Sequence, residues 1–268
     1  MANKNSEDYS VLRWGVAGAG KISTDFVCAV NADSPDKHKF VAVASRSLET
    51  ASNFAFARKI PTAYGSYQEL AQDTNVQIVY IGNLNPDHFE TAKLFLEHGK
   101  HVLLEKPLTM NAKQTAAITE LAREKNLLLM EALWSRFLPA YVFLAEQLKA
   151  KTIGEIYSVE ASFGFANLDA VARVSEKKLG GGTILDLGVY TLNLIQMAFG
   201  NEQPEKVAAV GALNSSGVDA SVAAALSYTG GRSAVMRTHS VVEMPNTATL
   251  IGTKGTIRLE KYFHCAQK

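Results

Sequence analysis

Cysteine is scarce in this chain. Among 268 residues there are two, Cys28 and Cys265, far apart and in no CxxC unit. That excludes a disulfide framework and argues against a structural zinc site, so no metal is expected. Net charge is also nearly absent, with Lys and Arg numbering 27 against 26 Asp and Glu. No global field draws the protein to nucleic acid or anionic lipid, and no local basic stripe replaces it. Long apolar runs are missing too, and none approaches the length of a membrane span. Residues 1–10 are polar and lack the apolar core of a secretory leader, which makes a reducing, cytoplasmic setting the expectation. There is no internal repeat and no low-complexity segment.

What is present is an ordinary globular composition, 47% hydrophobic and 20% charged, in a chain long enough for two modest domains. Apolar runs suited to strands occupy 12–17, 40–44, 78–81, 101–104 and 127–130. Stretches of helical composition lie between them, at 22–31, 48–59, 87–97 and 112–125. Such alternation predicts a doubly wound parallel sheet of the Rossmann kind. Gly99 reads as a helix stop and Asn111 as a helix cap. Beyond residue 130 the pattern changes. A helix over 138–149 precedes a strand over 156–165, and Gly180, Gly181 and Gly182 open a long apolar helix that runs to Gly200. Short strands then follow at 206–212, 222–228, 233–240, 247–251 and 256–259. Tight turns between them predict a mainly antiparallel open sheet. The fold class is therefore α/β, with a Rossmann domain over 1–130 and an α+β domain over 131–268. An open sheet with one uncovered face favours pairing as a homodimer.

The first strand runs into Gly18-Ala19-Gly20-Lys21-Ile22-Ser23, a GxGxx(G/A) pattern with Ser in the third small position. Glycines there let the backbone approach a pyrophosphate, whose charge then meets the free N–H groups of the following helix. Alone the motif is weak, because glycine turns between strand and helix are common. Its place inside a repeated strand–helix pattern raises it. At the end of the second strand a site for NAD usually carries Asp or Glu for the ribose hydroxyls. This chain has Ser45 and Arg46 there, a pair suited to a 2′-phosphate and hence to NADP. Arg46 also fits as a plain surface residue at a helix start.

Glu105-Lys106-Pro107 follows the strand at 101–104, at the carboxyl edge where ligands of open α/β sheets bind. Proline restricts the residue before it, so Lys106 projects in a defined direction; on spacing alone it is equally a solvent-exposed lysine before a turn. In the apolar helix after Gly182 the only titratable side chains before Gly200 are Asp186 and Tyr190. At a spacing of four they share one helical face. A buried carboxylate there needs a cation or donors to compensate it, and Lys106 is a candidate cation. A Tyr near an ammonium can exchange a proton, although a Tyr packed in a core with its hydroxyl bonded to backbone fits the pattern as well.

Taken as a set, the Gly18 to Ser23 loop, Glu105-Lys106-Pro107, Met130-Glu131-Ala132-Leu133-Trp134 with Arg136-Phe137, and Gly180-Gly181-Gly182 followed by Asp186-Leu187-Gly188-Val189-Tyr190 resemble the Gfo/Idh/MocA oxidoreductases. The resemblance covers nearly the whole chain, from Leu12 to about Leu259. It implies that Tyr190 and Lys106 are the catalytic pair, with Asp186 orienting the site. It implies a cofactor site of Gly18, Gly20, Lys21, Ile22, Ser45, Arg46, Tyr80, His88, Glu105, Lys106 and Asp186. Without it, His88 would read as a surface helix residue. Trp134 and Phe163 match positions lining a substrate pocket, though ordinary core explains both on the residues alone. His98 and His101 are expected to face solvent.

The implied reaction is NADP-dependent oxidation of a secondary alcohol in a small-molecule substrate, a cyclic trans-dihydrodiol or an aldose sugar. A sugar-phosphate or inositol dehydrogenase is disfavoured by Tyr190, because His is more usual at that place. Two departures stand out. Ser23 replaces the more usual Ala or Gly. Family members also continue for several tens of residues past the turn at Gly252 to Gly255, so the second domain is expected to be incomplete here. That expectation keeps open a reading of another class, a catalytically silent NADP-binding sensor or partner subunit.

Overall fold

The computed structural model describes residues 11–266. The polar segment 1–10 lies outside the described residues. The chain divides into two compact units, one ending at Ala132 and the other beginning at Leu133.

In the first unit, β1 (Leu12–Ala17), β2 (His38–Ala44), β3 (Thr62–Tyr64), β4 (Ile78–Ile81), β5 (His101–Leu104) and β6 (Leu129–Glu131) form one parallel sheet. Their order is β3-β2-β1-β4-β5-β6. The helices are α1 (Lys21–Asp33), α2 (Leu48–Arg58), α3 (Tyr67–Gln72), α4 (His88–Glu97) and α5 (Ala112–Glu124). Parallel strands need covering on both faces, and alternation along β4 shows it. Ile78 and Tyr80 join one apolar cluster, and Val79 and Ile81 join the other. Helix starts are written in short polar side chains. Ser47, Ser66 and Asn111 accept the N–H groups of Thr50, Glu69 and Gln114. Gly99 ends α4 with φ +74°, a conformation that suits glycine. The pair β3 and α3 was not expected from the sequence.

The second unit opens with α6 (Pro139–Lys149) and carries a six-stranded sheet. Its strands are β7 (Ile156–Gly164), β8 (Lys206–Leu213), β9 (Asp219–Tyr228), β10 (Arg232–His239), β11 (Ala248–Gly252) and β12 (Gly255–Leu259), in the order β12-β11-β7-β10-β9-β8. All neighbours are antiparallel except β7 and β10, which run parallel. The short helix α7 (Ala172–Ser175) precedes the glycine triplet, and α8 (Val189–Ala198) follows it. Residues of α8 pack with Val159, Ala161 and Phe163 of β7 in the unit's apolar core. Edge strand β8 is exposed along its whole length.

The expected single helix from Gly182 to Gly200 is corrected. A π-helical turn, Ile184–Gly188, comes first, and regular α-helix begins only at Val189. A wider turn of this kind interrupts regular i to i−4 bonding and is common near functional groups. Here it holds Asp186. No helix among the described residues is long and apolar enough to cross a membrane.

Candidate active site

The first unit brings the glycine loop to the carboxyl ends of its strands. In this strand order β1 and β4 are neighbours at the switch point, the place where open sheets take ligands. Gly18 has φ +102°, and a Cβ on it would stand 3.0 Å from the Gly82 carbonyl oxygen and 3.2 Å from the Asn83 nitrogen. Only glycine fits so close to a neighbouring backbone. Gly20 then forms the N-cap of α1, with no side-chain cap and no acidic residue in the first turn. The helix's first N–H groups and its positive dipole end thus meet no negative side chain in that turn, as a bound phosphate requires. Ile22 is 42% exposed, and Lys21 extends outward to Asp25 at 2.8 Å.

Ser23 explains the third small position. It is fully buried, and a Cβ on Gly82 would lie 2.5 Å from its Oγ. Its hydroxyl has no hydrogen-bond partner among the described residues. A buried hydroxyl of this kind is destabilising. Ser23→Ala is expected to raise stability by about 1 kcal/mol, read as a higher urea midpoint with cofactor affinity unchanged. A lower midpoint would show that the hydroxyl is satisfied in solution.

Ser45 and Arg46 follow β2 directly, and Arg46 is exposed. The neighbouring Ser47 hydroxyl is engaged as the α2 cap. No Asp or Glu stands at this strand end.

Tyr80 and His88 lie inside the unit, and their contacts are with protein. Tyr80 is 1% exposed, stacks on Phe26 at 4.0 Å and donates its hydroxyl to Glu105 Oε1 at 2.8 Å. Burial pushes the Glu105 carboxyl above its usual range, while Tyr80 and Lys106 act the other way. His88 is fully buried, which corrects the surface position that its place in the chain suggests. The cause is the Pro107 carbonyl, 2.8 Å from Nδ1, with the Asn83 carbonyl 3.4 Å from Nε2. Burial lowers the imidazole pKa, so the ring is neutral and its proton belongs on the nitrogen with the shorter contact. His88 thus ties the loop after β4 to the turn that carries Lys106. Glu131 accepts the Leu108 N–H at 2.8 Å and holds the same turn from the other side. Of the remaining histidines, His98 is exposed, whereas His101 is half-buried and accepts the Leu128 N–H.

The candidate tyrosine belongs to the second unit. Tyr190 is 6% exposed at the first turn of α8, and Trp134 Nε1 donates to its hydroxyl oxygen at 2.9 Å. Trp134 is 40% exposed and presents surface beside that hydroxyl. The whole Trp134-Ser135-Arg136 segment is pinned in this way. The Ser135 hydroxyl donates to the His264 carbonyl, and Arg136 Nε donates to Asn193 Oδ1 at 2.5 Å.

Phe163 differs from the expected pocket lining. At 1% exposure it is core, because alternation along β7 turns it inward with Val159 and Ala161. Its ring supports Tyr190 at 5.6 Å and His264 at 4.3 Å. His264, which sequence reasoning did not single out, has its ring 5.4 Å from that of Tyr190 and 5.9 Å from that of Trp134.

Asp186 is buried, and the cation that meets it within its unit is Arg173, with Nη1 2.6 Å from Oδ1. Arg173 was not legible as a partner, because α7 lies outside the apolar helix, before the glycine triplet. A positive charge that compensates the buried carboxylate is therefore present in the second unit itself, as the Arg173 guanidinium.

Comparison with known proteins identifies the family. Residues 12–133 match an oxidoreductase family with an NAD-binding Rossmann fold, and residues 141–258 match the Gfo/Idh/MocA C-terminal domain. A trans-1,2-dihydrobenzene-1,2-diol dehydrogenase of Xenopus tropicalis is 44% identical over 247 residues, covering 92% of this chain and 74% of that protein. The enzyme of the same name from Danio rerio is 41% identical, covering 95% of this chain and 76% of its own length. Among solved structures, a 3-ketoreductase of Actinomadura kijaniata in complex with NADP and TDP-benzene superposes with a TM-score of 0.82. It shares 28% identity and covers 94% of this chain and 77% of that one. An aldose-aldose oxidoreductase of Caulobacter crescentus shares the fold, with a TM-score of 0.85 at 23% identity over 96% of this chain and 78% of its own. The chain therefore belongs to the Gfo/Idh/MocA family of oxidoreductases, and its first unit is an NAD(P)-binding Rossmann domain.

Proposed function

We propose that this chain is an NADP-dependent dehydrogenase that oxidises a secondary alcohol of a cyclic trans-dihydrodiol, or of an aldose such as D-xylose. The observation that carries the reading is the Tyr190 hydroxyl, buried at the start of α8 and fixed by the Trp134 N–H. The relatives named above support the dihydrodiol. The reading includes a cytoplasmic protein that pairs as a homodimer.

The residues of the glycine loop fit the cofactor, since Gly18 clears the backbone and α1 begins uncapped. Gly18, Gly20, Lys21 and Ile22 would hold the pyrophosphate, and Ser45 and Arg46 the 2′-phosphate. Tyr80, His88 and Glu105 shape the turn beneath them. The chemistry that a nicotinamide would supply, held by these residues, is acceptance of a hydride from the alcohol carbon. Tyr190 takes the hydroxyl proton. An N–H aimed at its oxygen favours the form that has lost its own proton, and Trp134 supplies one. Lys106 is assigned the positive charge that assists this step, and Asp186 with Arg173 the orientation of the tyrosine's helix. Run backwards, the same groups return the proton to a carbonyl oxygen. Trp134 offers an aromatic face suited to a planar ring or to the apolar face of a sugar.

The test is formation of reduced cofactor by this chain with NADP and either the trans-dihydrodiol of benzene or D-xylose. Turnover is expected, and the better substrate names the activity. A folded protein that binds NADP and turns over neither would favour the silent cofactor-binding reading instead. For the cofactor itself, Arg46→Ala is expected to lower the NADP over NAD preference in kcat/KM by about ten- to a hundred-fold. This is the worth of one charge-assisted contact. An unchanged ratio would remove Arg46 from the 2′-phosphate site.

A further inference from the structure

Resting on that reading of Tyr190, we propose that Asp219 is a positioning residue for the catalytic tyrosine, acting through the start of its helix. Asp219 is the first residue of β9, and its carboxylate reaches across to the turn that follows the glycine triplet. One oxygen, Oδ2, accepts the Ile184 N–H at 2.8 Å and the Thr183 hydroxyl at 2.6 Å. Thr183 has no side-chain cap of its own to offer, and the carboxylate supplies one from another strand. A negative charge at that end also complements the dipole of the turn and of α8 behind it.

The network continues inward. Thr183 has one hydroxyl proton, which it gives to Asp219, so the Thr238 hydroxyl is the donor in the 2.8 Å bond between the two threonines. Both threonines are fully buried. The helix start is thereby fastened to β9 and β10 together.

The glycine triplet is explained by the same contact. A Cβ on Gly182 would stand 2.3 Å from Asp219 Oδ1, and one on Gly181 would stand 2.4 Å from the Val174 carbonyl oxygen. Gly181 and Gly182 donate their N–H groups to Glu176 and Val174, so the segment bearing Arg173 is laced to the same point. Asp219 therefore anchors the junction from which Asp186 meets Arg173 and Tyr190 meets Trp134. The π turn interrupts the regular i to i−4 ladder at this point. The bonds from Asp219 fasten its start from outside.

The test compares Asp219→Ala, Asp219→Asn and Leu226→Ala, the last a core truncation further along the same strand that lowers stability without touching the junction. Steady-state kinetics are read with NADP and the better of the two alcohols. Asp219→Ala is expected to lower kcat by about 10- to 100-fold, the cost of misplacing a reacting group by roughly an ångström. The KM for NADP should stay within a factor of about two, and the acid limb of the kcat–pH profile should shift. Asp219→Asn should restore kcat to within a few-fold, because a single amide oxygen can accept both bonds that Oδ2 now takes.

Equal loss of kcat in Asp219→Ala and Leu226→Ala would overturn the proposal, and so would a kcat for Asp219→Ala within about three-fold of the parent. Should Asp219→Ala fail to fold, Thr183→Val removes one of the two bonds. It is expected to lower kcat several-fold at constant KM, and an unchanged kcat overturns the proposal. Tyr190→Phe separates the two levels. If that variant turns over normally, the reading of Tyr190 fails. If it is inactive while Asp219→Ala is active, only the role of Asp219 fails.

Discussion

Replacing Tyr190 by Phe lowers kcat by about 10²- to 10⁴-fold, the usual worth of a positioned proton acceptor, and leaves the protein folded and able to bind NADP. The ring stays, with its packing against Phe163 and His264. The loss includes one oxygen and the bond it accepts from Trp134. Trp134 is exposed enough to give its N–H to water instead, so the stability change should be small. The NAD(P)-binding Rossmann domain is the first unit, and cofactor affinity should not move. Trp134→Phe is the informative companion. It keeps an aromatic ring and removes only the N–H, and should lower kcat by about ten-fold, the worth of one hydrogen bond of about 1.4 kcal/mol. On the proposed pairing of roles, Lys106→Met combined with Tyr190→Phe should cost little more than the worse single change, because the effects of groups that act together are not additive. Steady-state rates with saturating cofactor decide the matter. A Tyr190→Phe protein within about three-fold of the parent would mean that another group takes the proton.

Much of this was legible in the sequence where the physical signal is local. The bounds of β1, β4 and β5 could be read off because each is a short apolar run with turns on both sides. Asn111 and Gly99 were readable for the same reason, since caps act within a few residues. The pair β3 and α3 was missed. A strand of three residues has no period to detect, although Ser66 followed by Glu69 is a capping-box signal that marks the start of α3.

In the second unit the antiparallel pattern was visible, but the parallel pairing of β7 with β10 was not, as it joins strands with two others between them in sequence. The site shows the same division. Gly18, Lys106, Asp186 and Tyr190 stand in motifs. Arg173, Asp219 and His264 lie outside those motifs and meet their partners through the fold, and nothing nearby marks them. Position alone would place His88 at the surface, because the carbonyl that buries it comes from Pro107 on another loop. The π turn was invisible for a related reason. Apolar residues at helical spacing look alike whether the turn closes at four residues or five.

The second large effect is expected at the glycine loop, where two glycines should answer differently. Gly18→Val forces a branched side chain into φ +102° and places its Cβ against the Gly82 carbonyl and the Asn83 nitrogen. Those atoms belong to the backbone after β4 and cannot turn aside. Strain at such a position costs about 1–3 kcal/mol before any clash is counted. Gly18→Val should therefore lower both the melting temperature and NADP affinity, the latter by about a hundred-fold or more, equivalent to roughly 2.7 kcal/mol. Gly20 is another case. Its backbone is extended at φ −90°, and a Cβ there meets nothing nearer than the Gly82 oxygen at 3.9 Å. The fold alone does not demand glycine at that place. Gly20→Ala should keep the parent's melting temperature and still lose NADP affinity, by about ten-fold or more, if the pyrophosphate lies over the N-terminus of α1. Thermal melts and an NADPH fluorescence titration of the two variants give the comparison. Full affinity in Gly20→Ala would move the pyrophosphate away from Gly20, and an undiminished melting temperature in Gly18→Val would mean that the turn at Gly18 relaxes more readily than its backbone contacts indicate.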